Sequence, residues 1–231
     1  MALAGNETDN ARRCHQDHEG AMTLAANQPA AGDREVLVIV DVQNDFCPGG
    51  ALAVPHGDEV VPAVNRLATR FAHIVLTQDW HPADHASFAA SHPGRRPFET
   101  IAMPYGDQTL WPPHCVQGSH GAAFHPGLDI GRAELVLRKG FRPGIDSYSA
   151  FRENDRRTPT GLAGYLRERG FERVTLCGLA TDFCVFYSAL DSRETGLATA
   201  VALAACRGLD IDRSLENAIG GMRDAGVIFV P

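Results

Sequence analysis

Apolar positions along this chain fall mostly in short continuous runs rather than in strict alternation. Residues 36–40 (Val-Leu-Val-Ile-Val) form such a run, the pattern of a strand buried on both faces. Residues 73–77, 135–137, 171–177, 198–203 and 227–230 predict five further strands. Helical spacing appears over 58–72, with Asp58 as its expected cap and Pro62 tolerated near its start. Residues 160–169, stopped by Gly170, and 183–194, closed by Gly196, predict two more helices. A last helix is expected over 213–224, broken up by Gly220 and Gly221. Strands and helices alternating in this rhythm predict an α/β fold, a parallel sheet with helices on both faces. Residues 80–133 hold most of the histidines and half of the prolines and carry no clear periodic element. A structureless stretch of that length in a compact domain is usually functional.

The ends of the chain refine this picture. Residues 1–34 are polar and aperiodic and are expected to be a disordered extension, leaving 35–231 as the folded domain. With 44% hydrophobic and 21% charged residues, the composition is that of a globular protein. A net charge of −7, with no Lys/Arg cluster, argues against a nucleic-acid partner. No apolar stretch nears the ~20 residues needed to span a bilayer. The six cysteines show no C-x-x-C spacing and read as reduced thiols, which points to a cytoplasmic setting.

Open parallel sheets gather ligands at the carboxyl ends of their strands. Asp41, Asp79, Lys139 and the turn holding Cys184 all fall at such ends. A cysteine at a strand-to-helix corner meets unpaired N–H groups and a helix dipole, which favour the nucleophilic thiolate. Asp41 would shuttle the proton and Lys139 would hold the anionic groups together. Backbone N–H groups from Ala180 to Cys184 offer an oxyanion hole. Taken singly, Asp41 reads as a turn residue, Lys139 as a solvated strand end and Cys184 as core. It is their coincidence at one sheet edge that makes a site. Asp182 opposes a lowered thiol pKa and is expected to pair with a cation or cap the helix.

Asp79 and His81 lie two residues apart, on one side of an extended segment. His114, among prolines, is a third candidate metal ligand and His85 a fourth; His92, His120 and His125 read as surface. Such donors suit zinc, iron or manganese.

The segments 41–50 (DVQNDFCPGG), 78–82 (QDWHP), 111–116 (WPPHCV), 139–140, 146–151 (DSYSAF) and 178–184 (GLATDFC) occur in order. Together they resemble the nicotinamidase/pyrazinamidase group of isochorismatase-like cysteine hydrolases, over roughly 35–230. The resemblance implies a three-layer α/β/α fold with a six-stranded, mostly parallel sheet. It implies hydrolysis of nicotinamide, with pyrazinamide as a further substrate, to the acid and ammonia through a thioester, within NAD salvage. The catalytic triad would fall on Asp41, Lys139 and Cys184. One divalent metal, zinc ahead of iron or manganese, would be held by Asp79, His81 and His114. Phe46, Trp111 and Tyr148 would box the ring. A cis peptide at Leu179–Ala180 would place the N–H groups of Ala180 and Cys184 as the oxyanion hole. The loop 95–110 resembles longer bacterial forms. The expected partner is a small amide, with no nucleic acid and no membrane; homo-oligomerisation stays open. Two competing readings remain: a cysteine amidohydrolase for ureido or carbamoyl substrates, and a silent binding protein on the same fold.

Overall fold

The structure is a computed structural model that describes Gly32 and residues 34–231. The expected extension, 1–34, lies outside the described residues save Gly32 and Arg34. Eight strands and four α-helices follow in order: β1 (Glu35–Val40), α1 (Val60–Ala68), β2 (His73–Asp79), β3 (Thr100–Met103), β4 (Gly106–Thr109), β5 (Leu135–Lys139), α2 (Leu162–Glu168), β6 (Arg173–Leu179), α3 (Phe186–Glu194), β7 (Ala198–Arg207), α4 (Ser214–Asp224) and β8 (Ile228–Val230). Six strands form one parallel sheet in the order β5-β2-β1-β6-β7-β8.

The continuous apolar runs settle in the middle of this sheet. Val36 to Val40 are all buried, as are Val174, Leu176 and Cys177 of β6. Right-handed crossovers then fix the layers. The chain moves one way from β1 to β2 through α1, and the other way from β6 through β7 to β8. That reversal puts α1 on one face and α3 with α4 on the other. The amphipathic α1 buries Val60, Val64 and Leu67 against the sheet. Each such side chain contributes about 1.5–3 kcal/mol.

Three local expectations change. The helix expected over 58–72 is shorter, opening as a 3₁₀ turn at Gly57–Glu59 and ending at Ala68; the Asp58 side chain makes no cap bond. The helix expected to break at Gly220 and Gly221 runs through them. Gly221 is there for packing, since a Cβ would sit 2.9 Å from the Phe186 ring of α3. The stretch 80–133 contains an antiparallel hairpin, β3 with β4, turning at Pro104 and Tyr105. Among the described residues no helix is long and apolar enough to cross a membrane. The five described cysteines are free and buried.

Candidate active site

Sheet register assembles the site. Asp79 and Lys139 are the last residues of β2 and β5, and they are direct partners across the parallel ladder. Adjacent residues in register share a face, so their side chains meet in an ion pair. Asp41 follows β1 with φ near 47°, a left-handed bend that aims its carboxylate inward. Its Oδ2 lies 2.8 Å from Lys139 Nζ, and its Oδ1 accepts a 2.6 Å hydrogen bond from Thr77. Cys184 comes from the chain beyond β6. The Gly178 Cβ position is filled by the Val40 carbonyl, so only glycine lets β6 press against β1 here. Lys139 Nζ also donates to the Ser147 carbonyl at 2.9 Å and approaches Cys184 Sγ at 3.5 Å. A carboxylate oxygen of Asp41 lies within 4.8 Å of Cys184 Sγ. Asp41 and Cys184 thus converge on the Lys139 ammonium, with Asp41 and Lys139 fully buried and Cys184 6% exposed.

The electrostatics revise the expected thiolate. Burial pushes the Cys184 thiol well above its ordinary value, and the carboxylates of Asp41 and Asp79 push the same way against Lys139. Burial also raises Asp41, with Lys139 opposing. Burial alone would raise Asp79 too, but Lys139 and the two histidines hold it well below the carboxylate range. Burial alone would lower Lys139, yet its two carboxylates keep it firmly charged. Burial thus works against the thiolate, while Lys139, paired with both Asp41 and Asp79, works for it. The cost of burying an anion opposes the corner's dipole.

The corner itself differs from a plain helix start. Thr181–Val185 is a π-helical turn ahead of α3, and the Leu179–Ala180 peptide is cis. The N–H groups of Phe183 and Val185 both donate to the Ala180 carbonyl, which removes Phe183 from the oxyanion candidates. Asp182 neither pairs with a cation nor caps its own turn. It accepts from the N–H groups of Leu209 and Asp210 and from the Ser214 hydroxyl, tying down the loop after β7.

A second cluster lies alongside. Donor atoms of Asp79, His81 and His114 all fall within 4.8 Å of one another. His81 Nε2 is 3.4 Å and His114 Nε2 3.8 Å from Asp79 Oδ2. Each ring is turned by its other nitrogen, His81 Nδ1 to the Gly140 carbonyl at 2.8 Å and His114 Nδ1 to the Pro112 carbonyl at 2.9 Å. That pattern of backbone-anchored imidazoles leaves both Nε2 atoms free for a cation. His81 Nε2 is buried with no hydrogen-bond partner, so these residues fit a metal ion. The segment carrying His114 reaches the site because His81 and Val116 form a parallel bridge. His85 packs against the His81 ring, centroids 4.4 Å apart, and with His81 and Asp146 forms a second group of donors within 4.8 Å; its nitrogens also engage Ser87 Oγ at 2.7 Å and the Ile145 carbonyl at 3.2 Å.

Between the clusters lies a small cavity of about 330 Å3, its open mouth included. Phe46, Trp111, Tyr148 and Ala180 line it, as the motifs suggested. So do Leu52, Phe183 and Leu209, which the sequence did not single out. Cys184, Asp79, His114 and Asp146 supply its polar atoms. Trp111 and Phe183 meet edge to face at 5.0 Å, and Tyr148 and Phe183 at 5.6 Å. The cavity is thus a mostly apolar, aromatic slot with the Cys184 thiol and the His114 imidazole in its lining.

Several supports went unread in the sequence. Gln43 clamps Asp79 by its backbone, accepting from its N–H at 2.8 Å and donating to its carbonyl at 2.9 Å. The Asp45 carboxylate accepts from the Cys115 N–H at 2.7 Å, next to His114. The only signal for either was membership of the 41–50 motif.

The comparisons agree with this geometry. The model of the Isochorismatase domain matches residues 35–230. A nicotinamidase of Acinetobacter baylyi is 54% identical over 191 residues, covering 83% of this chain and 89% of its own. A solved nicotinamidase/pyrazinamidase of Acinetobacter baumanii superposes with a TM-score of 0.86 at 54% identity, over 87% of this chain and 97% of that one. A pyrazinamidase of Pyrococcus horikoshii, solved in complex with zinc, superposes with a TM-score of 0.70 at 35% identity, over 85% and 98%. Sheet order, matched length and identity all lead to one assignment: this chain belongs to the isochorismatase family.

Proposed function

We propose that this protein is a nicotinamidase, a cysteine amidohydrolase that converts nicotinamide to nicotinate and ammonia and also accepts pyrazinamide. One observation carries the reading: a thiol, a carboxylate and an ammonium converge at the end of an aromatic slot beside three metal-type donors. Identity of 54% to a nicotinamidase over most of both chains supports the same substrate.

In this reading Phe46, Trp111 and Tyr148 sandwich the ring and Ala180 borders the carboxamide. Asp79, His81 and His114 would hold one divalent metal, zinc by analogy with the zinc-bound relative, and that metal supplies a Lewis-acid anchor for the ring nitrogen. Holding the amide carbon against the sulfur removes about 7–11 kcal/mol of barrier when alignment is good. Asp41 takes the thiol proton as Cys184 Sγ attacks the amide carbon. N–H groups of Ala180 and Cys184 receive the oxyanion. Asp41 returns the proton to the leaving nitrogen, ammonia departs, and a thioester remains. Asp41 then deprotonates a water, which attacks the thioester carbon. Nicotinate leaves and the thiol is restored. Lys139 stays charged throughout and keeps the added negative charge on Asp41 and sulfur tolerable.

An ammonia-release assay tests the reading. Nicotinamide is expected to yield ammonia and nicotinate one to one; activity should vanish on chelation and return with zinc. Ammonia from ureido compounds, with none from nicotinamide, would refute it.

Gly140→Ala gives an independent check on the metal ligands. Gly140 has φ near 66°, and a Cβ there would collide with the His81 ring. Displacing that ring is expected to weaken metal binding by about 10–100-fold. Metal content after dialysis measures this, and an unchanged content would remove His81 from the ligand set.

A further inference from the structure

The β3–β4 hairpin reaches the slot through one side chain. Gln108 of β4 is fully buried, although its strand lies outside the main sheet. Its Nε2 lies 2.9 Å from Asp146 Oδ2, 3.0 Å from the Tyr148 hydroxyl and 2.7 Å from the Thr109 carbonyl. Its Oε1 accepts from the Tyr105 hydroxyl at 3.1 Å and from Asn154 Nδ2 at 3.2 Å. Asn154 in turn accepts from the Tyr148 N–H at 3.0 Å. Tyr148 is therefore held at both ends by one network, its hydroxyl by Gln108 and by Trp111 Nε1 at 3.2 Å, its backbone by Asn154.

We propose that Gln108 is a positioning residue: it fixes the Tyr148 ring and the Asp146 carboxylate as one wall of the slot, and so sets affinity for the substrate ring. The proposal rests on the nicotinamidase reading. The position faces three acceptors, a carboxylate, a phenol and a carbonyl, which the two hydrogens of one NH2 group share, and two donors, a hydroxyl and an amide, that need an acceptor. Only a primary amide offers both from one planar group. A glutamate would face Asp146 with a like charge, and leucine would take a hydrogen-bond partner from each of five groups, the buried Asp146 carboxylate among them. Gln108 lines no part of the cavity itself, so its influence on substrate passes through Tyr148 and Asp146.

The test compares wild type, Gln108→Leu, Tyr148→Phe and the double variant as metal-loaded enzymes, with nicotinamide as substrate. Wild-type turnover settles first whether the nicotinamidase reading holds. Gln108→Leu is expected to raise KM about tenfold while kcat changes less than about twofold. Tyr148→Phe keeps the ring but cuts the tether, and is expected to raise KM similarly. In the double variant the second change should add less than about twofold, because both remove one linkage. A Gln108→Leu enzyme with wild-type KM and only a lowered Tm would overturn the proposal, as would fully additive effects. If Gln108→Leu does not fold, Tyr148→Phe decides alone, and a wild-type KM there overturns it.

Discussion

Replacing Cys184 by alanine is expected to lower kcat for nicotinamide by about 10⁴- to 10⁶-fold, the range seen when a hydrolase loses its nucleophile. The change removes a single sulfur from the end of a preformed slot. The walls, Phe46, Trp111 and Tyr148, come from other segments and stay in place. The metal donors Asp79, His81 and His114 likewise come from other segments of the chain. Nicotinamide should therefore still bind, within about threefold of the wild-type Kd. Calorimetric titration together with ammonia release separates the two quantities. Residual turnover within tenfold of wild type would mean that another group attacks the amide.

Lys139→Met is expected to damage both fold and activity. The wild-type ammonium is fully buried and paired with Asp41 and Asp79, and it also donates to the Ser147 carbonyl. Without it, Asp41 and Asp79 share one dry space without the cation that bridges them. Breaking a buried pair from one side costs about 3–5 kcal/mol, which for a domain of this size lowers Tm by roughly 10 °C. The sign of the pH effect follows from Asp41. Its pKa already lies above the ordinary carboxylate value because of burial, and Lys139 restrains it. Removing the restraint raises it further, so less Asp41 is in its basic form at a given pH. The acidic limb of the pH–rate profile should move to higher pH. Thermal melts and a pH series check both; an unchanged melt with an unchanged acidic limb would show that Lys139 carries no such load.

Much of this was legible in the sequence, for a definite reason. Strands buried on both faces write themselves as unbroken apolar runs, and residues just past such runs land at one edge of a parallel sheet. Asp41, Asp79 and Lys139 could be read that way. The hairpin β3–β4 could not, since four alternating residues either side of Pro104 fall below any periodic signal. Thr77 and Gln43 were invisible for another reason. Each acts on a partner 36 residues away, and a polar side chain does not announce a distant partner. The upward push on the Cys184 thiol was hidden because the corner's dipole is local and legible, whereas the burial that opposes it comes from the whole fold. Gly221 was misread as a helix breaker because the Phe186 ring it accommodates belongs to another helix.

The order β5-β2-β1-β6 has a last consequence. The proposed acid, cation, nucleophile and first metal donor stand on, or a short way beyond, four consecutive, mutually bonded strands. No hinge runs between them, so the catalytic floor is one slab that never splits to admit a reactant. All traffic passes over the rim, through crossover loops and the hairpin that leans on it. Variation in what the enzyme admits is thus confined to those overhanging segments, and can change without disturbing the chemistry beneath.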